Sequence, residues 1–181
     1  MNKGTMFSSV SNEWETPDWL FKILDDEFHF TVDLAATKAN AKVEHFYSPQ
    51  VDSLTMEWRG VGWLNPPYSR QVGKWVQKSY ETAVVGQGTV VMLLAARTDT
   101  RWWWNWVRKA EVRFLKGRLK FGGGLYKAPF PSAVVVFRKG NVYASTEYWD
   151  LGEKEKAWRE GLGRETEISR RLPVDTGYTD R

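Results

Sequence analysis

Thr89-Val90-Val91-Met92-Leu93-Leu94-Ala95 is apolar after its leading threonine, with no alternation between apolar and polar positions. A run of this length and composition predicts a strand covered on both faces, as in the interior of a parallel sheet with helices above and below. Working upstream, Val61 to Leu64 is a second short strand. Phe30, Val32 and Leu34 alternate and run into Asp33-Leu34-Ala35-Ala36, which reads as a strand entering a loop with Asp33 near its carboxyl end. Thr16-Pro17-Asp18 has the form of a helix start, a capping hydroxyl followed by proline at the first helical position, and Leu20, Ile23, Leu24 and Phe28 follow at helical spacing. Val72, Trp75, Val76, Ser79 and Ala83 mark a second amphipathic helix. Downstream, Thr98 or Asp99 is placed to cap a helix through Trp102 and Trp106. Glu111 to Phe121 and Ala133 to Arg138 read as strands, with Lys139-Gly140-Asn141 turning the latter into Val142-Tyr143. The order helix, strand, strand, helix, strand, helix, strand is an α/β pattern.

Length and composition narrow the class further. The chain has 181 residues, enough for one domain with a sizeable core, expected over residues 1–150. Residues 151–181 carry seven basic and seven acidic side chains with few aliphatics, and read as a polar tail, partly helical or flexible. With no cysteine and only two histidines, a disulfide framework and a thiolate metal site are excluded and a zinc site has few ligands, so no metal is expected. No apolar run reaches the roughly 20 residues needed to cross a bilayer and the start lacks the apolar core of a signal peptide, so a cytoplasmic protein is expected. Net charge is +4, but residues 1–60 hold ten acidic and five basic side chains, whereas Arg97 to Lys127 hold nine basic and two acidic. Such a split predicts two surfaces with different partners, the basic one a footprint for a polyanion.

Gly62-Trp63-Leu64-Asn65-Pro66-Pro67-Tyr68 carries the chemistry. Proline fixes φ, removes its own N–H and extends the residue before it, so Asn65-Pro66-Pro67 is a rigid acceptor site at a strand's end. The amine of a nucleobase is a poor nucleophile because its lone pair is delocalised into the ring. Two acceptors, the Asn65 side-chain oxygen and the Pro66 carbonyl, could take its N–H bonds and favour a pyramidal nitrogen, stabilising developing charge without reorganisation. Tyr68 supplies a flat face for stacking, worth about 1–3 kcal/mol per base. In the basic segment, Arg97, Arg101, Arg108, Lys109, Arg113, Lys116, Arg118 and Lys120 interleave with Trp102, Trp103, Trp104 and Trp106, a pattern suited to phosphates and base faces. A helix turns 100° per residue, so these tryptophans must divide between core and surface. Gly122-Gly123-Gly124 after the basic strand reads as a mobile loop.

The Asn65–Tyr68 tetrapeptide resembles the [DNS]-P-P-[YFW] motif of amino-group methyltransferases that use S-adenosylmethionine. The whole series, WETPDWLF, DLAAT, NAK, WLNPPYS, RTDTRWWW, KGRLKF and APFPSAVVVF, looks like the phage-type DNA N-6-adenine methyltransferase (Dam) family over about residues 12–138. That resemblance implies a small Rossmann-like methyltransferase fold, mostly parallel sheet flanked by helices. It also implies that Asn65, Pro66, Pro67 and Tyr68 are catalytic and receive an adenine flipped out of double-stranded DNA. Thr16 and Pro17 would wrap the methionine end of S-adenosylmethionine, Asp33 and Ala35 form the first cofactor loop, and Asp52 contact the cofactor's adenine. The resemblance leaves the carboxylate for the ribose hydroxyls open, with Glu44 as one candidate. Arg97, Arg101, Trp102, Arg118 and Lys120 would bind DNA. Alanines stand at 35 and 36 where the family has glycines, and only about thirty residues separate Asp33 from Asn65, so one βα unit is shortened. The same tetrapeptide serves enzymes acting on RNA adenine or protein glutamine, and a catalytically silent DNA-binding protein on this fold is a further alternative.

Overall fold

The apolar run lies at the centre of a six-stranded sheet. The computed structural model describes residues 15–121, 126–140 and 143–171. Its sheet contains β1 (Val32–Asp33), β2 (Gly60–Leu64), β3 (Gly88–Ala95), β4 (Glu111–Lys116), β7 (Ser132–Phe137) and β8 (Ser145–Asp150), in the order β1-β2-β3-β7-β4-β8. A separate ribbon pairs β5 (Lys120–Phe121) with β6 (Tyr126–Lys127). Strand β3 is parallel to β2 and antiparallel to β7. The other pairings make β7 the single strand opposed to the remaining five.

Both faces of β3 are covered, which is why its side chains never alternate. Val90, Met92 and Leu94 pack with Trp75, Val76 and Ala83 of α2 (Val72–Val84) and Trp103 of α3 (Arg101–Asn105). Val91 and Leu93 pack with Leu20, Leu24 and Phe28 of α1 (Asp18–Phe28) and with Leu151, the first residue of α4 (Leu151–Arg171). The result is helix, sheet, helix, with the core in two layers. No helix among the described residues is long and apolar enough to cross a membrane.

Several sequence expectations change. The interior strand is not in an all-parallel sheet, because β7 opposes it. Glu111 to Phe121 is two strands: Gly117 has φ 98°, a conformation that costs glycine little, and the chain breaks there before entering the ribbon. Strand β8 pairs with β4, not with β7; the turn expected at Lys139-Gly140-Asn141 into Val142-Tyr143 runs through Asn141 and Val142, which lie outside the described residues. Neither Thr98 nor Asp99 caps α3, whose N-cap is Thr100, with its hydroxyl donating to the Arg97 carbonyl at 2.8 Å. Gly122–Gly124 and the last ten residues are also outside the described set.

This topology brings one edge together. The carboxyl ends of β1, β2, β3, β4 and β8 meet the amino end of β7 there, and Asp33, Asn65, Arg97, Lys116 and Ser132 all sit on or just beyond it.

Candidate active site

Asn65 leaves β2 where the sheet stops, and its amide is held from the side. Its Nδ2 donates to Thr16 Oγ1 at 3.1 Å, across forty-nine residues of chain. Thr16 is 3% exposed. Its hydroxyl was expected to cap α1, but Pro17 occupies the N-cap and no side chain caps the helix. The hydroxyl instead fixes which way the Asn65 amide faces, and the oxygen end of that amide is buried.

On one side of Asn65 lies a cavity of about 560 Å³, within the usual range for ligand sites. Leu34, Trp63, Trp75, Pro49 and Val51 supply apolar wall, while Thr16, Asp33, Asn40, Lys42 and Asp52 supply polar groups. Ala35, Pro66 and Pro67 also border it. The alanines at 35 and 36 therefore line the cavity without filling it. Pro17 does not reach the lining; it starts α1, accepting backbone N–H bonds from Leu20 and Phe21 at 3.1 Å. Glu44 is exposed and outside the lining, so it is not placed to hold ribose hydroxyls.

Asp33 shapes this wall. It is 3% exposed, and its carboxylate accepts the backbone N–H of Ala35 at 3.2 Å and of Lys42 at 3.1 Å. Both ends of the 35–42 loop are thus tied to one side chain. Burial pushes its pKa up, against the two N–H bonds that favour the charged form. A raised folded pKa means the native state binds this proton more readily than the unfolded chain, so the contribution is greatest at low pH and declines as pH rises through the folded value. Asp33→Asn removes the titration. The wild-type melting temperature minus that of Asp33→Asn is therefore expected to grow in the wild type's favour as pH is lowered from neutral towards 4, and a constant difference across that range would contradict it.

Lys42 closes the same end. Its Nζ donates to Asp18 at 2.6 Å and Glu15 at 3.1 Å. Burial presses its pKa down, but the hydrogen bonds to Asp18 and Glu15 outweigh burial and leave it raised. Asp52 sits at the opposite loop, exposed, its side chain accepting from Leu54 N at 3.1 Å as the cap of a short 3-10 turn.

The cavity's lining ends at Pro67. Beyond it, the half-buried Tyr68 packs its ring against Phe130, centroids 5.2 Å apart and planes tilted by 31°. The Tyr68 hydroxyl donates to the Leu93 carbonyl at 3.3 Å, and burial pushes its pKa up, so it remains a neutral anchor for the ring. Asn65 therefore borders a ligand-sized cavity, and three residues further along the chain Tyr68 forms an aromatic pair with Phe130.

Arg97, Arg101, Arg118 and Lys120 are all exposed, on loops and short elements that follow the carboxyl ends of β3 and β4. The tryptophans divide as the helical rotation requires: Trp103 is buried, Trp102 and Trp106 are half-buried, and Trp104 is 58% exposed beneath the Arg108 guanidinium. Arg113 does not belong with the surface cations. It is 3% exposed, paired with Glu27 and Glu111 and set over the rings of Phe28 and Trp149. Alternation along the strand puts Val112 on one face and Arg113 on the other, but both faces of β4 are covered, so the sequence carries no signal that Arg113 is inside. Lys116 is also engaged, with Asp150 at 2.7 Å.

Sequence reasoning did not assign site roles to Lys42 or Phe130. Both lie inside quoted motifs, NAK and APFPSA, but neither motif shows which groups the fold brings beside Glu15 or Tyr68.

A sequence model of the DNA N-6-adenine-methyltransferase (Dam) family matches residues 3–146. A DNA N-6-adenine-methyltransferase of Haemophilus phage HP1 (strain HP1c1) is 35% identical over 169 residues, covering 86% of this chain and 97% of that protein. Another protein of that name, from Escherichia phage T1, is 34% identical over 98 residues, 52% of this chain and 40% of its own length. With that coverage, and with the Asn65–Tyr68 motif set at the sheet edge beside a ligand-sized cavity, the chain belongs to the DNA N-6-adenine-methyltransferase (Dam) family.

Proposed function

We propose that the chain is a DNA adenine N6-methyltransferase that uses S-adenosylmethionine on a small Rossmann-like fold and acts on an adenine flipped out of double-stranded DNA. As a member of its family it is an enzyme of adenine methylation in DNA. The observation that carries the finer reading is Asn65 on the wall of a ligand-sized cavity, three residues before the Tyr68–Phe130 pair.

The residues present fit S-adenosylmethionine: the cavity has a ligand-sized volume and is lined by both apolar walls and polar groups. When bound, the cofactor supplies a methyl group already activated on a sulfonium. Thr16, Asp33, Ala35, Lys42 and Asp52 would hold it, Asp33 mainly by keeping the 35–42 loop in place. Asn65 accepts the N–H of the target amine through its side-chain oxygen and Pro66 through its carbonyl, both held rigid by the prolines. Thr16 keeps the amide from rotating. Tyr68 stacks on the extruded base, and Phe130 must yield the space, since rings 5.2 Å apart leave no room for a third between them. Reaction requires alignment of amine and methyl more than acid–base assistance, and the amine's proton leaves to solvent after transfer.

Arg97, Arg101, Trp102, Arg118 and Lys120 would contact the duplex. Replacing Arg118 and Lys120 with alanine together is expected to weaken DNA binding and to flatten its salt dependence by about 1.8, from a slope of roughly 0.9 per phosphate contact. An anisotropy titration at several salt concentrations reads both, and an unchanged slope would remove these two residues from the interface. The wild type is expected to bind S-adenosylhomocysteine one to one in a calorimeter; failure to bind it would overturn the cofactor assignment.

A further inference from the structure

We propose that Lys42 and Glu15 form the subsite for the amino-acid end of S-adenosylmethionine, Lys42 taking its carboxylate and Glu15 its ammonium. The inference rests on the cofactor reading above and names the charged pair that would recognise one end of that cofactor.

S-adenosylmethionine is polar at both ends, and the amino-acid end is a zwitterion a few bonds from the sulfur. That end must lie close to the reacting amide. Of the cavity's charged groups among the described residues, Glu15, Asp33 and Asp52 are acidic and Lys42 is the one cation. Asp33 has both carboxylate oxygens committed to the loop. Asp52 caps its turn on the other loop. Glu15 directly precedes Thr16, whose hydroxyl holds Asn65, so the Glu15–Lys42 pair lies at the amide's end of the cavity.

The pair is also built into the wall. The Lys42 side chain is only 12% exposed, and its backbone N–H is pinned by Asp33 at 3.1 Å. Its ammonium carries three donors, of which Asp18 takes one at 2.6 Å and Glu15 another at 3.1 Å. A third donor is available for a ligand carboxylate without breaking the Asp18 contact. Glu15, half-exposed, can turn from Lys42 to the ligand ammonium, so a single ion pair becomes two and no charge is left uncompensated.

The test compares S-adenosylhomocysteine, which carries the amino-acid end, with 5′-methylthioadenosine, which lacks it, by calorimetry on the full chain. Lys42→Met is expected to weaken S-adenosylhomocysteine by about 10–100-fold, the range for a lost charged hydrogen bond, and to leave 5′-methylthioadenosine within about twofold. Glu15→Gln, at a half-exposed position that the fold tolerates, is expected to reduce the preference for S-adenosylhomocysteine in the same direction, so the inference stays testable if Lys42→Met does not fold. Equal weakening of both ligands would make Lys42 a loop support and overturn the subsite, as would a preference unchanged in both variants. A wild type that binds neither ligand would overturn the cofactor reading itself.

Discussion

Asn65→Ala is expected to lower single-turnover methyl transfer by about 10²–10³-fold, the range seen when one preorganised polar group is removed from a reacting centre. Cofactor affinity is expected to stay close to that of the wild type. The two halves follow from different geometry. Asn65 contributes one polar group at the border of the cavity, whose remaining wall comes from separate loops held by Asp33 and Asp52. Its amide is the group that faces a fixed direction, because Thr16 Oγ1 accepts its Nδ2. Removing it leaves the cavity intact and takes away an acceptor for the target amine. Rapid-quench measurement of methyl transfer, beside calorimetry with S-adenosylhomocysteine, separates the two effects. Normal single-turnover transfer by the alanine variant would reject the role assigned to the amide; a parallel collapse of cofactor affinity would assign Asn65 to the cavity instead.

Arg113→Ala is expected to produce the largest loss of stability, at the end of the sheet away from the site. The guanidinium makes a two-point contact with Glu27 at 2.6 Å, bonds Glu111 at 2.7 Å and lies over the rings of Phe28 and Trp149. Deleting one partner of a buried network leaves carboxylates uncompensated, at a cost of about 3–5 kcal/mol. Arg138 still reaches Glu111 at 2.7 Å, which places the expectation near the lower end. For a chain of this size about 3 kcal/mol corresponds to a fall in melting temperature of roughly 6–12 °C. Glu27 adds a pH dependence. Its hydrogen bond to Arg113 holds its carboxyl below the usual range, although burial opposes this, so its contribution is present above the unfolded value and lost as pH falls through the folded one. That contribution is screened, since the Glu27 side chain is 39% exposed. Thermal melts of the wild type and Arg113→Ala between pH 3 and 7 are expected to converge towards the acid end. A melting temperature unchanged at neutral pH would show that the network contributes nothing.

The parts of the fold that were legible are those where burial dictates composition. Thr89–Ala95 is apolar because helices cover both faces, and the spacing of Trp75, Val76 and Ala83 follows the face that α2 turns to the sheet. Strand β8, Ser145–Asp150, escaped detection because it lies at the sheet's edge with only Trp149 buried, so its residues carry no alternating apolar signal. Strand direction left no mark either: Ser132–Phe137 is buried throughout, and a doubly covered strand has the same composition whichever way it runs. Gly117 was visible as a glycine, but its positive φ, which ends β4, belongs to the folded backbone.

The site divides in the same way. Asn65, Asp33, Asp52 and Thr16 stand in short motifs at strand and helix ends, and the fold brings them around one cavity. Thr16 was assigned to that site, but the contact its hydroxyl makes was not foreseen, because a threonine before a proline resembles a cap and only the tertiary structure brings Asn65 within 3.1 Å. Glu44 had no motif to support it, and it is exposed on the 42–47 segment that pairs with Asp33. Arg113 was counted with its basic neighbours because charge runs do not record which face of a strand is inside. Alanine in place of glycine at positions 35 and 36 would favour the catalytically silent reading only if those methyl groups closed the cavity, and they do not.

The most direct measurement is to incubate the purified protein with unmethylated double-stranded DNA and S-adenosylmethionine labelled in its methyl group, beside Asn65→Ala, then to digest the DNA and identify the labelled nucleoside by mass spectrometry. Label in N6-methyladenine, lost in the variant, is the expected result. Absence of label from DNA with the wild type, while S-adenosylhomocysteine still binds, would contradict it and direct attention to RNA adenine or protein glutamine as the acceptor.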